Sequence, residues 1–231
     1  MAVNFNASSV NYNPNFKGSM KRTEQGNPYY STNSGTKIGA GFAALTLLSG
    51  AGSIAMGNFI NKAAGNLGKE LTRTETVNTR LVGDFYKKLG KYSMLVGIPM
   101  YLGCGMIVDY LRNQKAKKAA DLVHQAGIKN AMIQDRDIAI SPRRQPYLNS
   151  DSGAKNGAIL GAVVNPLATL ILWPVTNKFN QQFFKSAGMS GMPKMSKVPS
   201  LIMSCLTGAF GGWLLGKWAD HNSNKAAEKY S

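Results

Sequence analysis

Charge is missing from four long stretches of this chain, residues 38–61, 92–108, 156–177 and 198–216. All 27 Lys and Arg and all 11 Asp and Glu fall in the remainder, so a mean hydropathy of -0.17 averages two different environments. Cysteine is scarce: Cys104 and Cys205 both lie in uncharged stretches, with no second Cys or His at metal-ligand spacing. That excludes a disulfide framework and a zinc or iron–sulfur pattern, and leaves two packing thiols. The two histidines, His124 and His221, sit in charged segments and read as solvent-facing. No Ser/His/Asp set, paired carboxylates or phosphate-binding loop can be assembled. The chain is therefore expected not to be an enzyme and to need no cofactor or metal. Residues 1–15 lack a cationic start and an apolar core, so no cleavable signal peptide is expected.

What is present fits a membrane. A helix needs about 20 apolar residues to cross a hydrocarbon core of ~30 Å. Stretches 38–61, 156–177 and 198–216 meet that length, while 92–108 is short and would need Tyr92, Tyr110, Lys91 and Arg112 as interface anchors. Pro166 and Pro174 are expected to kink or end the third helix. Before the second stretch, Leu67, Leu71, Thr74, Val77, Leu81, Phe85 and Leu89 form a helical stripe suited to lie on an anionic surface or to cap the bundle. After it, a helix-forming charged run ends at Gly127. These features predict an all-α, polytopic membrane helical bundle of about four transmembrane helices in two hairpins. Residues 1–37 read as a disordered Asn/Ser-rich tail, 38–126 as the first hairpin with an amphipathic loop helix and an extended second helix, 127–151 as a linker, and 152–231 as the second hairpin with a short basic tail.

Small residues recur every fourth position in the spans: Ser49, Ser53 and Gly57; Gly157 and Gly161; Ser204, Gly208, Gly212 and Gly216. Such faces let helix backbones approach closely, where dispersion replaces the missing hydrophobic drive. The spacing resembles glycine-zipper membrane segments, including the Gly-rich four-span protein-import subunits of the mitochondrial inner membrane. That resemblance covers small-residue spacing and span count alone, and the loop after the second span is longer than the family's. Ser34 to Ala40 matches Ser152 to Ala158 at five of seven positions, and aligning Ser93 with Ser200 continues an internal repeat into the second helix of each half. The result is two hairpins in the same orientation.

Three residues suggest a transport path: Asn165 and Pro166, which interrupt a span, and Asp109 at the end of another. The simpler reading of Asp109 is a helix-end carboxylate pairing with Arg112. Met189, Met192 and Met195 have a spacing that could take Cu(I), but read more simply as a Met-rich interfacial loop. The net charge of +16 is spread over every charged segment, which suits anionic lipid headgroups and, without an aromatic-interleaved basic strand or recognition helix, argues against nucleic acid. The segment charges leave membrane orientation open. The function expected is a structural or assembly role in a membrane, pointing to a bacterial inner membrane or an equivalent organelle membrane, with a homo-oligomer or other membrane proteins as partners. A small channel or transporter along the Gly-rich faces is the alternative, and a basic soluble helical domain a second.

Overall fold

The computed structural model describes residues 18–66, 73–186 and 197–230. It is predominantly helical, with two short antiparallel hairpins, β1 (Ser19–Arg22) with β2 (Pro28–Ser31) and β3 (Ile138–Ile140) with β4 (Pro146–Leu148). Among the described residues five helices complete it: α1 (Ser34–Asn66), α2 (Arg73–Ala126), α3 (Ile128–Gln134), α4 (Ser152–Ser186) and α5 (Lys197–Tyr230). Each β-hairpin immediately precedes a long helix. α1, α2, α4 and α5 are long and apolar enough to cross a membrane.

α1 and α2 pack antiparallel along glycines, with Gly35 beside Gly105, Gly50 beside Gly90 and Gly57 beside Gly83. α4 and α5 do the same. At Gly157 and Gly161 a Cβ would run into the carbonyl oxygens of Gly212 and Gly208, closer than side-chain carbons come to a backbone oxygen. Any side chain there would push the helices apart. The burial is inverted relative to a water-soluble core. Leu48, Phe59 and Leu95 are each 69% exposed, while the buried apolar residues are mostly alanines such as Ala43, Ala64 and Ala219.

Several elements differ from expectation. α2 is one helix of 54 residues, about 80 Å at 1.5 Å per residue, so the described part of the stripe before the second span belongs to α2 and is not a separate loop helix. Its Leu81, Phe85 and Leu89 are half-buried, and Phe85 stacks on Phe179 of α4 at 4.1 Å. Leu67 and Leu71 lie outside the described residues. α4 runs unbroken through Pro166 and Pro174. Residues 18–37 are not a disordered tail, since they fold as β1, β2 and the first turn of α1; 1–17 lie outside the described residues. The cause is non-local: Thr23 and Asn27 at the hairpin tip both donate to Asp121 Oδ1 of α2, at 2.6 and 2.8 Å. The 127–151 linker is α3 with the β3–β4 hairpin, and the basic tail is the last turns of α5.

Candidate functional site

The most constructed polar region lies where α1 and α4 begin. The first turn of any helix has N–H groups without intrahelical partners. In α1 these are taken up by a carboxylate from the neighbouring helix: Gly35 N donates to Asp109 Oδ1 at 2.8 Å, and Thr36 N and Oγ1 donate to Oδ2 at 2.7 and 2.6 Å. In α4 the same task falls to Asp220, which accepts from Gly153 N at 3.0 Å and Ala154 N at 2.8 Å. One turn further on, Asn113 exchanges two hydrogen bonds with the backbone of Thr32, and Asn224 does so with Ser150. A negative charge at a helix N-terminus is favourable by both hydrogen bonding and dipole.

The two halves then cross. Arg112 of α2 donates to Asp220, Asn224 and the Ser150 carbonyl, all in the second half. In return, Ser223 of α5 shares a 2.7 Å hydrogen bond with Thr32 ahead of α1. The side chains of Arg112 and Asp220 are 5% and 2% exposed. Asp109 therefore does not pair with Arg112 as expected: its oxygens face the start of α1, whereas Arg112, three residues on, projects to the other half. Alongside, Lys115 and Ser150 both donate to Asp137 Oδ2. Burial pushes the Asp137 carboxyl up, but the hydrogen bonds from Lys115 and Ser150 outweigh it and hold it below the usual range. This Ser/Lys/Asp set has the residue types of a nucleophilic site, yet Ser150 is fully buried and its Oγ accepts from Ser152 N, so the set anchors a helix start.

The small residues singled out from spacing fall on helix–helix contacts in most cases. Gly57 faces Gly83, Gly157 and Gly161 face Gly212 and Gly208, and Gly216 faces Gly153. Ser53 lies beside Gly90, and its Oγ donates to the Ser49 carbonyl. Ser204 bonds Thr169 through its hydroxyl and accepts from Asn165 Nδ2 at 2.9 Å through its carbonyl. A cavity of about 390 Å³ lies among the four long helices, lined by Gly35, Phe42, Cys104, Gly161, Asn165 and Leu215 among others. Asn165 is on its wall; Asp109 and Pro166 are not, so the structure does not bring the three suggested path residues together. Met189, Met192 and Met195 lie outside the described residues. Among the described residues no group of His, Cys, Asp or Glu could hold a metal ion.

Sequence reasoning missed Arg112, Asn113, Asp220 and Asn224 as a unit. The available signal was Gly-x3-Asp-x3-Asn, present at 105, 109 and 113 and again at 216, 220 and 224. Aligning Ser93 with Ser200 sets the halves one helical turn out of the register that these hydrogen bonds define. Pro-Tyr at 28–29 and 146–147 is a further match, at the start of β2 and of β4. No protein-family model matches this chain, and comparison with curated proteins and with solved structures yields no significant match to either.

Proposed function

We propose that the chain is an integral membrane protein built from two copies of one unit, each a β-hairpin followed by a glycine-zippered helical pair, and that its role is structural or in assembly rather than enzymatic. The observation that carries this is the inverted burial: leucines and phenylalanines point outward from four long helices whose seams are glycine and alanine. In water those faces would be far larger than the apolar patches that soluble monomers expose. In lipid they are matched, and close backbone contact supplies the cohesion. This favours a membrane over the basic soluble domain. The repeat reading rests on the paired Asp109/Asp220 and Asn113/Asn224 hydrogen bonds, made by both halves in the same register. Basic residues flanking the spans suit anionic headgroups, in a bacterial inner membrane or its organelle equivalent. Alkaline carbonate treatment of isolated membranes is the test: retention in the pellet is expected, and release to the supernatant overturns the reading.

The channel alternative draws on the central cavity with Asn165 on its wall. It requires ion flux through liposomes containing the full chain, reduced when Val164 or Leu215 on the same wall is enlarged to Trp. A protein that leaves liposomes tight removes it.

A further inference from the structure

A second cavity, of about 730 Å³, opens at the end of the molecule where the two β-hairpins flank α2. That volume suits a small-molecule ligand. Its floor is an alanine face of α2 that includes Ala116 and Ala119, and Tyr29 of β2 and Tyr147 of β4 stand on its walls. Arg22 and Arg144, from the two hairpins, Arg112 and His124 of α2, and the loop amides Asn27 and Gln145 make up the polar part; among the described residues no carboxylate lines it. Among the described residues neither hairpin arginine forms an ion pair. Asp121 is turned to Thr23 and Asn27, and Glu228, near Tyr147, is off the wall.

The two hairpin loops are built alike. Thr23 N donates to the Asn27 carbonyl and Ser141 N to the Gln145 carbonyl, both at 2.8 Å, and the fourth residue of each loop has a positive φ. In the first loop that residue is Gly26, at φ +86°, where a left-handed backbone is free of strain. In the second it is Arg144, at φ 62°, the one non-glycine residue with positive φ among those described. An arginine in that conformation carries local backbone strain that a glycine would relieve. Here it brings to the cavity a second guanidinium outside any ion pair, beside that of Arg22, which donates to the Gly26 carbonyl at 3.2 Å.

We propose that this cleft binds a phosphate ester, its phosphate held by Arg22 and Arg144 and its flat or apolar body lying on the alanine floor between the two tyrosines. Guanidinium groups match phosphate oxygens in a bidentate fashion, and tyrosine faces suit a ring. The inference stands apart from the membrane reading, because the same chemistry is offered by a soluble nucleotide-like compound and by a phospholipid headgroup.

The test uses the purified full chain and the fluorescent nucleotide trinitrophenyl-ATP. Saturable binding is expected, displaced by inorganic pyrophosphate. Arg144→Gly is the informative variant, since it removes the cation while relieving the backbone: affinity should fall about tenfold or more, with an unfolding temperature equal to or above the parent's. Arg22→Gln should weaken binding similarly, and Lys88→Gln at the far end should not. Vesicles of phosphatidylcholine with phosphatidic acid form a second arm. Displacement of the probe by these vesicles assigns the site to a headgroup, and displacement by ATP alone assigns it to a soluble ester. Absence of saturable binding, undiminished affinity in Arg144→Gly, or an equal loss in Lys88→Gln overturns the proposal.

Discussion

Replacing Asp220 by alanine should be far more damaging than making the same change at Asp109, although both carboxylates do the same work at a helix start. Asp109→Ala removes acceptors from Gly35 and Thr36, a capping loss of about 1–2 kcal/mol. Asp220→Ala removes the equivalent cap of α4 and also strands Arg112, whose side chain is 5% exposed. Breaking a buried pair from one side costs about 3–5 kcal/mol, because the remaining charge has lost its counter-ion away from water. The expected total is therefore about 4–6 kcal/mol for Asp220→Ala, with Asn224 and the Ser150 carbonyl offsetting part of it. At about 2–4 °C per kcal/mol for a chain of this size, the midpoint should fall by ~10 °C or more, against ~4 °C for Asp109→Ala. Thermal unfolding in mild detergent, followed by the emission of Trp213 and Trp218, reads both. The double variant Arg112→Met with Asp220→Ala should recover at least half of the deficit, since no charge is then left buried. Equal losses for the two single variants, or no recovery in the double, would refute the assignment of Arg112 and Asp220 as the joint between the halves.

Further outcomes follow from the same contacts. Gly161→Leu should separate α4 from α5 and cost at least about 1–3 kcal/mol, whereas Gly52→Ala and Gly211→Ala, which meet nothing within 4 Å, should be neutral or stabilising by up to ~1 kcal/mol; chemical denaturation in detergent distinguishes them. Asp137 has a depressed folded-state pKa, so its contribution is present above its unfolded value near ~3.9 and is lost as pH falls through the folded one. Amide exchange at Ile138 and Leu148 should therefore accelerate below about pH 4, and Asp137→Asn should abolish that dependence while raising exchange at neutral pH. With Cys104 and Cys205 replaced, single cysteines at Gln25 and Arg143 should be labelled from one side of sealed vesicles and one at Lys88 from the other. Labelling of Gln25 and Arg143 from opposite faces would contradict two like-oriented hairpins.

How much of this was legible depends on how far apart the interacting residues lie. The four long helices follow from the missing charges, and the end of α2 and the start of α4 from Gly127 and Ser152, because those signals are local, whereas the start of α1 at Ser34 fell inside the expected tail. The β1–β2 hairpin was hidden, since what holds Thr23 and Asn27 is Asp121, more than ninety residues away, and no period in 18–31 announces it. The continuity of α2 was hidden for a related reason: a stripe beside a span looks the same whether it forms a helix of its own or continues the span, and a contact such as Phe85 on Phe179 of α4 is non-local. Asp109 was noticed as a carboxylate at the end of an apolar stretch, but its partner is the start of α1, 74 positions earlier. A helix end satisfied by another helix leaves no mark of its own near either residue. Only the repetition of Gly-x3-Asp-x3-Asn carries it, and that pattern gains meaning once both copies are seen to make the same bonds.

The crossed contacts also bear on the order in which the chain can mature. Arg112 acquires its carboxylate from a residue 108 positions later, and Thr32 meets Ser223 across 191. During synthesis the first hairpin would be complete as a helical pair while still carrying an unmatched guanidinium and an unclosed start. It remains a provisional structure until the last turns of α5 emerge. Asp220, Ser223 and Asn224 thus act as a latch for the first half, and a chain cut short before Asp220 would leave Arg112 without its carboxylate.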